Sequence, residues 1–174
     1  MATLSDHTER TALTRFGVVA SRFHEEVCKD LLTGCIARLE EAGIASNEIE
    51  VVRVPGAFDI PFACQALANQ GSFVALVALG CVVRGETTHY ETVCNDSSRA
   101  LTMLGLQGLC VGNGILTVEN MDQATVRAEA KGQNKGGGAA AAALHLIALT
   151  RKWGASRNGV GFRPSDDAYQ LASD

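Results

Sequence analysis

Several features are missing from this 174-residue chain, and each absence removes a class of function. Basic charge is not in excess. Fifteen Lys and Arg stand against 19 Asp and Glu, a net charge of -4, and no run of cations is present to neutralise a phosphate backbone, so no nucleic-acid partner is expected. The six cysteines, Cys28, Cys35, Cys64, Cys81, Cys94 and Cys110, form no C-x-x-C pair, which excludes a zinc ribbon and a thioredoxin motif. Their apolar flanks point to buried, reduced thiols. The opening MATLSDHTER carries Asp6 and Glu9 and no apolar stretch, so it does not read as a secretion signal, and the expected location is cytoplasmic. The uncharged run 100–118 is broken by Gly105, Gln107, Gly108, Gly112, Asn113 and Gly114, so no membrane span is expected there.

The common catalytic signatures are also absent. There is no G-x-G-x-x-G, because Gly112-Asn113-Gly114 lacks the third glycine, and no Walker A loop, G-x-S-x-G elbow or H-E-x-x-H. Dinucleotide and metal cofactors therefore find no support, and no metal site is expected. Asp96, Ser97 and His89 lie close in sequence without the elbow that a hydrolase triad needs.

What is present is an ordinary globular composition, 47% hydrophobic and 20% charged, enough for one domain with a real core. Phe16 to Ala20, Ile49 to Val54, Phe73 to Val83 and Leu109 to Val118 are short apolar runs of the kind buried parallel strands show. Between them, apolar residues recur at helical spacing: Val27, Leu31, Cys35, Ile36 and Leu39, then Phe58, Ile60, Ala63 and Leu67, then Tyr90, Val93, Ala100, Leu101 and Leu104. A helix near Met121 to Ala130, a short 131–133 linker and an Ala-rich helix to about Trp153 follow. The expectation is a three-layer α/β/α sandwich around a four-stranded parallel sheet, of flavodoxin-like type, over residues 15–154. Residues 1–14 are expected as a flexible arm and 155–174 as a polar tail without chemistry. Such sheets bind ligands beyond the carboxyl ends of their strands, which directs the search to residues just after positions 20, 54, 83 and 112.

The segment Arg84-Gly85-Glu86-Thr87-Thr88-His89 joins a strand to a helix. Unpaired N–H groups at the helix start, the hydroxyls of Thr87 and Thr88, and the side-chain-free Gly85 suit a phosphate, although an ordinary Thr N-cap reads equally well. His89 in that turn has the right acidity for proton transfer near neutral pH. Arg127 and Lys135 either complete an anion pocket or lie on a solvated helix face. Pro55-Gly56-Ala57-Phe58-Asp59 turns at the end of the second strand, where backbone groups and Asp59 suit a polyol, or Asp59 serves only as a first-turn acid. Phe23 suits stacking on a flat heterocycle or covering the core. Gly136-Gly137-Gly138 before five alanines is a costly way to begin a helix, and its small side chains read as a contact between copies of the chain.

Taken in order, Val54-Pro55-Gly56-Ala57-Phe58-Asp59-Ile60-Pro61, Gly80 to His89 (GCVVRGETTH), Gly114 to Asn120 (GILTVEN) and Asn134-Lys135-Gly136 resemble the motifs of the lumazine synthase family, and the likeness runs from Phe16 to about Trp153. That resemblance implies condensation of 5-amino-6-ribitylaminouracil with 3,4-dihydroxy-2-butanone 4-phosphate to dimethylribityllumazine, with release of phosphate and water and without a cofactor. It implies that Phe23 stacks on the pyrimidine, that Ala57, Phe58 and Asp59 hold the ribityl chain, and that Cys81, Val82 and Val83 line the heterocycle. It assigns the phosphate to Gly85, Glu86, Thr87 and Arg127, proton transfer to His89, and assistance at the substrate to Lys135. Asn113 takes the position where many members carry an aromatic residue that completes the pocket from a neighbouring subunit, and Asp59 replaces the usual Glu. The resemblance further implies a homopentamer, with a 60-subunit icosahedral shell as the larger alternative and riboflavin synthase as a candidate partner. A flavin- or lumazine-binding homologue with little turnover is the second reading.

Overall fold

Short runs dominated by Val, Ala, Leu, Ile and Cys form the centre of the molecule. In the computed structural model, which describes residues 15–154, they make four strands: β1 (Arg15–Ser21), β2 (Ile49–Val54), β3 (Phe73–Val83) and β4 (Val111–Val118). The expected arm and tail lie outside the described residues. All pairings are parallel and the strand order is β2-β1-β3-β4, with Val18 beside both Val51 and Val77, and Leu79 beside Gly114. Val18, Val19 and Ala20 are completely buried because helices cover both faces of the sheet.

On one face lie α1 (Glu25–Glu41), α4 (Met121–Ala128) and α5 (Lys135–Gly154), whose Leu31, Cys35, Leu39, Ala124, Ala140 and Ala143 pack with Val18, Val77 and Leu79. On the other lie α2 (Ile60–Asn69) and α3 (His89–Leu106), whose Ile60, Cys64, Leu67, Val93, Leu101 and Leu104 pack with Val19, Leu76 and Ala78. The three-layer sandwich with a four-stranded parallel sheet is the expected fold. From β1 the chain first moves outward to β2 and then returns past β1 to β3. That reversal of direction opens a crevice at the carboxyl ends of β1 and β3.

One expectation needs correction, and another gains a reason inside the chain. The fourth strand continues to Val118, so its carboxyl end follows that residue and not position 112; Asn113 lies inside β4, beside Ala78. The glycines that open α5 also have a reason inside the chain. A methyl group on Gly136 would fall 1.9 Å from the Leu31 carbonyl oxygen, and one on Gly137 would meet the Asn134 side chain. Asn134, in the left-handed region at φ 45°, accepts the Gly137 N–H on Oδ1 at 2.9 Å and so starts the helix. Of the three glycines, Gly138 alone faces open space. Among the described residues no helix is long and apolar enough to cross a membrane.

This difference between adjacent glycines is measurable by thermal or denaturant unfolding. Gly136→Ala is expected to destabilise by about 3 kcal/mol, since backbone must move to admit the methyl group. Gly138→Ala is expected to be neutral or to stabilise by up to about 1 kcal/mol, through helix propensity. Equal effects would contradict the packing described.

Candidate active site

The crevice beyond β1, β2 and β3 holds a cavity of about 570 Å³, lined by Phe23, Pro55 to Asp59, Cys81 to Val83, Gly85, Thr87, His89, Tyr90 and Val93. Its aromatic wall is latched by backbone. Arg22 N–H donates to the Val54 carbonyl at 2.8 Å, and Phe23 N–H is shared between the Pro55 carbonyl at 3.2 Å and Ser21 Oγ at 3.0 Å. The Cys28 thiol donates to the Phe23 carbonyl at 3.3 Å. The Phe23 ring itself is 65% exposed, facing the cavity in place of the core. His24 packs edge-on against it, ring centroids 4.6 Å apart at 68°, from a left-handed backbone at φ 54°. Across the cavity, Asp59 Oδ2 accepts the Gly56 N–H at 2.9 Å, so this short acid braces the 56–59 turn from within. Ala57 is buried under that turn, and Phe58 is exposed at its rim.

The segment after β3 is open to solvent from Arg84 to His89. Thr87 Oγ1 accepts the His89 N–H at 3.4 Å, and Thr88, the N-cap of α3, makes no side-chain cap, so the expected Thr N-cap is weak at most. Gly85, Thr87 and His89 line the cavity; Glu86 is exposed but does not. Arg84 is engaged elsewhere. Its guanidinium bonds Glu119 at 2.8 Å and Glu91, and lies over the Tyr90 ring 4.1 Å from its centroid. The guanidinium holds the Glu91 carboxyl below its ordinary range.

A second hollow, of about 460 Å³, lies along the edge strand β4. Asn113, Ile115 and Thr117 form one wall, Arg127 of α4 another, and Lys135, Gly138 and Ala142 of α5 the third. Arg127 donates to the Gln123 carbonyl at 3.0 Å, one turn back on its own helix. Asn113 Oδ1 accepts the Ile115 N–H at 3.0 Å. Within one chain, then, the expected residues fall into two groups. Phe23, the 57–59 turn, Cys81 to Val83, Gly85, Thr87 and His89 share the first cavity; Asn113, Arg127 and Lys135 share the second; no residue lines both. Tyr90 and Val93 are cavity residues that sequence reasoning left in a helical stripe, although Tyr90 directly follows His89.

The cysteines serve as packing. Burial pushes the thiols of Cys35, Cys64 and Cys81 up to about 12. Burial also raises Cys28, to about 11, against the opposing pull of the Arg53 cation. Cys81 therefore meets the cavity as a neutral, weakly polar surface and not as a nucleophile. All six cysteines are free, as expected, but only five are buried; Cys94 is half-buried, unlike the expected buried thiol. Among the described residues no cluster of three or more His, Cys, Asp or Glu side chains could hold a metal.

Burial lowers the pKa of His24 from its ordinary 6.5. The unfolded chain thus takes up a proton more readily than the folded one, and the stability that neutral His24 contributes is present above pH 6.5 and is lost as pH falls below it. His24→Asn, which keeps the left-handed backbone accessible, is expected to flatten that part of the pH–stability profile in urea titrations. A variant profile that still falls as steeply would assign the effect to another group.

The sequence family bears on both hollows. Residues 13–151 match the model of the 6,7-dimethyl-8-ribityllumazine synthase family. The 6,7-dimethyl-8-ribityllumazine synthase of Jannaschia sp. (strain CCS1) is 47% identical over 150 residues, 86% of this chain and 83% of that protein. The one from Novosphingobium aromaticivorans is 47% identical over 142 residues, 81% of this chain and 99% of that protein. The one from Zymomonas mobilis is 46% identical over 140 residues, 80% of this chain and 99% of that protein. With the family match reaching from the start of β1 through nearly all of α5, the chain belongs to the 6,7-dimethyl-8-ribityllumazine synthase family.

Proposed function

We propose that this protein condenses 5-amino-6-ribitylaminouracil with 3,4-dihydroxy-2-butanone 4-phosphate, releasing phosphate and water, at sites that two copies of the chain complete together. The observation that carries this reading is the division of one chain into an aromatic, apolar cavity with a histidine at its rim and a separate hollow with two cations. Neither half alone offers both a platform for a heterocycle and a cationic hold on a phosphate. A neighbouring copy supplies the missing half by rotation about a symmetry axis, as in the homopentamer that the family resemblance implies. The 60-subunit shell is the larger assembly of the same units, riboflavin synthase is a candidate partner, and the location is cytoplasmic.

In this reading Phe23 stacks on the uracil, and Cys81, Val82 and Val83 face its edge. The turn that Asp59 braces holds the ribityl chain, so with this shorter acid the backbone of 57–59 carries more of the contact. Gly85 and Thr87 and the backbone N–H of Glu86, in the turn ahead of α3, and Arg127 from the adjoining copy hold the phosphate, where the helix dipole and a guanidinium both favour an anion. The steps are attack of the uracil amine on the ketone carbon, loss of water to give the imine, departure of phosphate, and ring closure with loss of a second water. Each needs a proton moved, and His89 is placed to give and accept it. Lys135 adds positive charge beside the departing phosphate. Holding two substrates together supplies a large share of the acceleration.

His89→Ala is expected to lower kcat about a hundredfold with little change in uracil binding. Arg127→Ala is expected to raise the KM for the butanone phosphate about tenfold and to leave the KM for the uracil unchanged. The two variants occupy different halves, so unfolding and refolding them together in equal amounts should restore activity: random assembly makes about one site in four from two intact halves. A mixture no more active than its components would place both residues in the site of a single chain and overturn the shared-site reading.

A further inference from the structure

Arg84 lines neither hollow, yet its contacts reach toward both. Its backbone N–H donates to the Val118 carbonyl at 2.9 Å, continuing the β3–β4 ladder past the last residue of β3. Its side chain then makes three contacts at once: the face of Tyr90, which lines the aromatic cavity beside His89; the Glu91 carboxylate in the first turn of α3; and, through Nε at 2.8 Å, Glu119 in the turn between β4 and α4. From Glu119 the contacts continue. Glu119 N–H donates to Gln123 Oε1 at 3.1 Å, and the Gln123 carbonyl accepts Arg127 at 3.0 Å in the second hollow. A planar guanidinium with a fork of donors and two flat faces can hold this set simultaneously; a lysine ammonium cannot.

We propose that Arg84 is a positioning residue that locks the His89 turn of α3 to the Glu119 turn, and so fixes the proton-transferring edge of one half-site and the cationic edge of the other in a single rigid relation. The proposal rests on the shared-site reading above. In a ring of copies each chain contributes different halves to two neighbouring sites, and Arg84 is the joint between them. Arg84, Glu91 and Glu119 are 40 to 59% exposed, so as ion pairs they contribute little to global stability. The effect of losing Arg84 therefore falls on geometry.

The test is steady-state kinetics and thermal unfolding of the full chain with Arg84→Ala, Arg84→Lys, Glu119→Gln and the Arg84→Ala/Glu119→Gln pair. Arg84→Ala is expected to lower kcat and raise the KM for the butanone phosphate, each about tenfold. The uracil KM should change much less and the melting temperature should hold, because Arg84 meets the uracil cavity only through Tyr90 and does not touch Phe23 or the 57–59 turn. Arg84→Lys should recover little of the loss, and the double variant should be no worse than Arg84→Ala, the two residues acting as one unit. A kcat and phosphate KM left unchanged in Arg84→Ala would overturn the proposal. So would both KM values rising equally with a fall in melting temperature, or full recovery by Lys. Glu119→Gln keeps the side-chain shape, so it tests the link even if removal of Arg84 prevents folding. Wild-type protein without turnover would instead overturn the proposed function, and the joint with it.

Discussion

The closeness with which α5 approaches its neighbours is the constraint on which the cationic half of the molecule depends. A methyl group on Gly112 would lie 2.1 Å from the Ala139 carbonyl oxygen, and one on Gly136 would lie 1.9 Å from that of Leu31. Backbone thus rests almost directly on backbone, with β4 on one side of α5 and α1 on the other. Larger side chains at these positions would lift the helix away and carry Lys135 and Ala142 with it. Small residues bury little apolar area each, so the helix is held by dense contact over its length more than by any single large side chain. The glycines that weaken α5 as an isolated helix are the ones that let it dock, and docking sets where the second hollow opens.

Sheet order then decides how the chemistry is divided. Because β4 is the edge strand, the hollow beside it faces outward, while the cavity at the β1–β3 reversal sits over the middle of the sheet. The edge hollow is polar and carries Arg127 and Lys135; the central cavity is walled by Phe23, Val82, Val83 and a protonated Cys81. That contrast matches two substrates of opposite character, a flat heterocycle and a small phosphate ester. On the single chain both Phe23 and Phe58 are exposed.

Much of this was legible in the sequence, and what was hidden has physical causes. The third strand was placed to the residue, because an apolar run closed by Arg84-Gly85 admits few other readings. The fourth was expected to start at Leu109, two residues early, since Leu109 and Cys110 enter the core although they belong to the connection before β4. The intrachain reason for the glycines of α5 is hidden from the sequence, because one-dimensional reasoning cannot see Leu31 lying beneath Gly136. Phe23, the 57–59 turn and His89 lie together because each follows a different strand at the same end of the sheet. The separation of Arg127 and Lys135 from them depended on strand order, which periodicity does not encode. The motif that contains Arg84 implies no role for it; its partners Glu91 and Glu119 are 7 and 35 residues away, and only the fold brings the second near.

The central claim is that the two hollows form a site for chemistry and not merely for binding. The most direct measurement supplies purified protein with 5-amino-6-ribitylaminouracil and 3,4-dihydroxy-2-butanone 4-phosphate, and follows lumazine absorbance and inorganic phosphate in the same reaction. The account predicts that the two products appear together, one phosphate for each lumazine, over many turnovers. Tight binding of the uracil or of riboflavin with neither product formed would contradict it and make the protein a binding homologue.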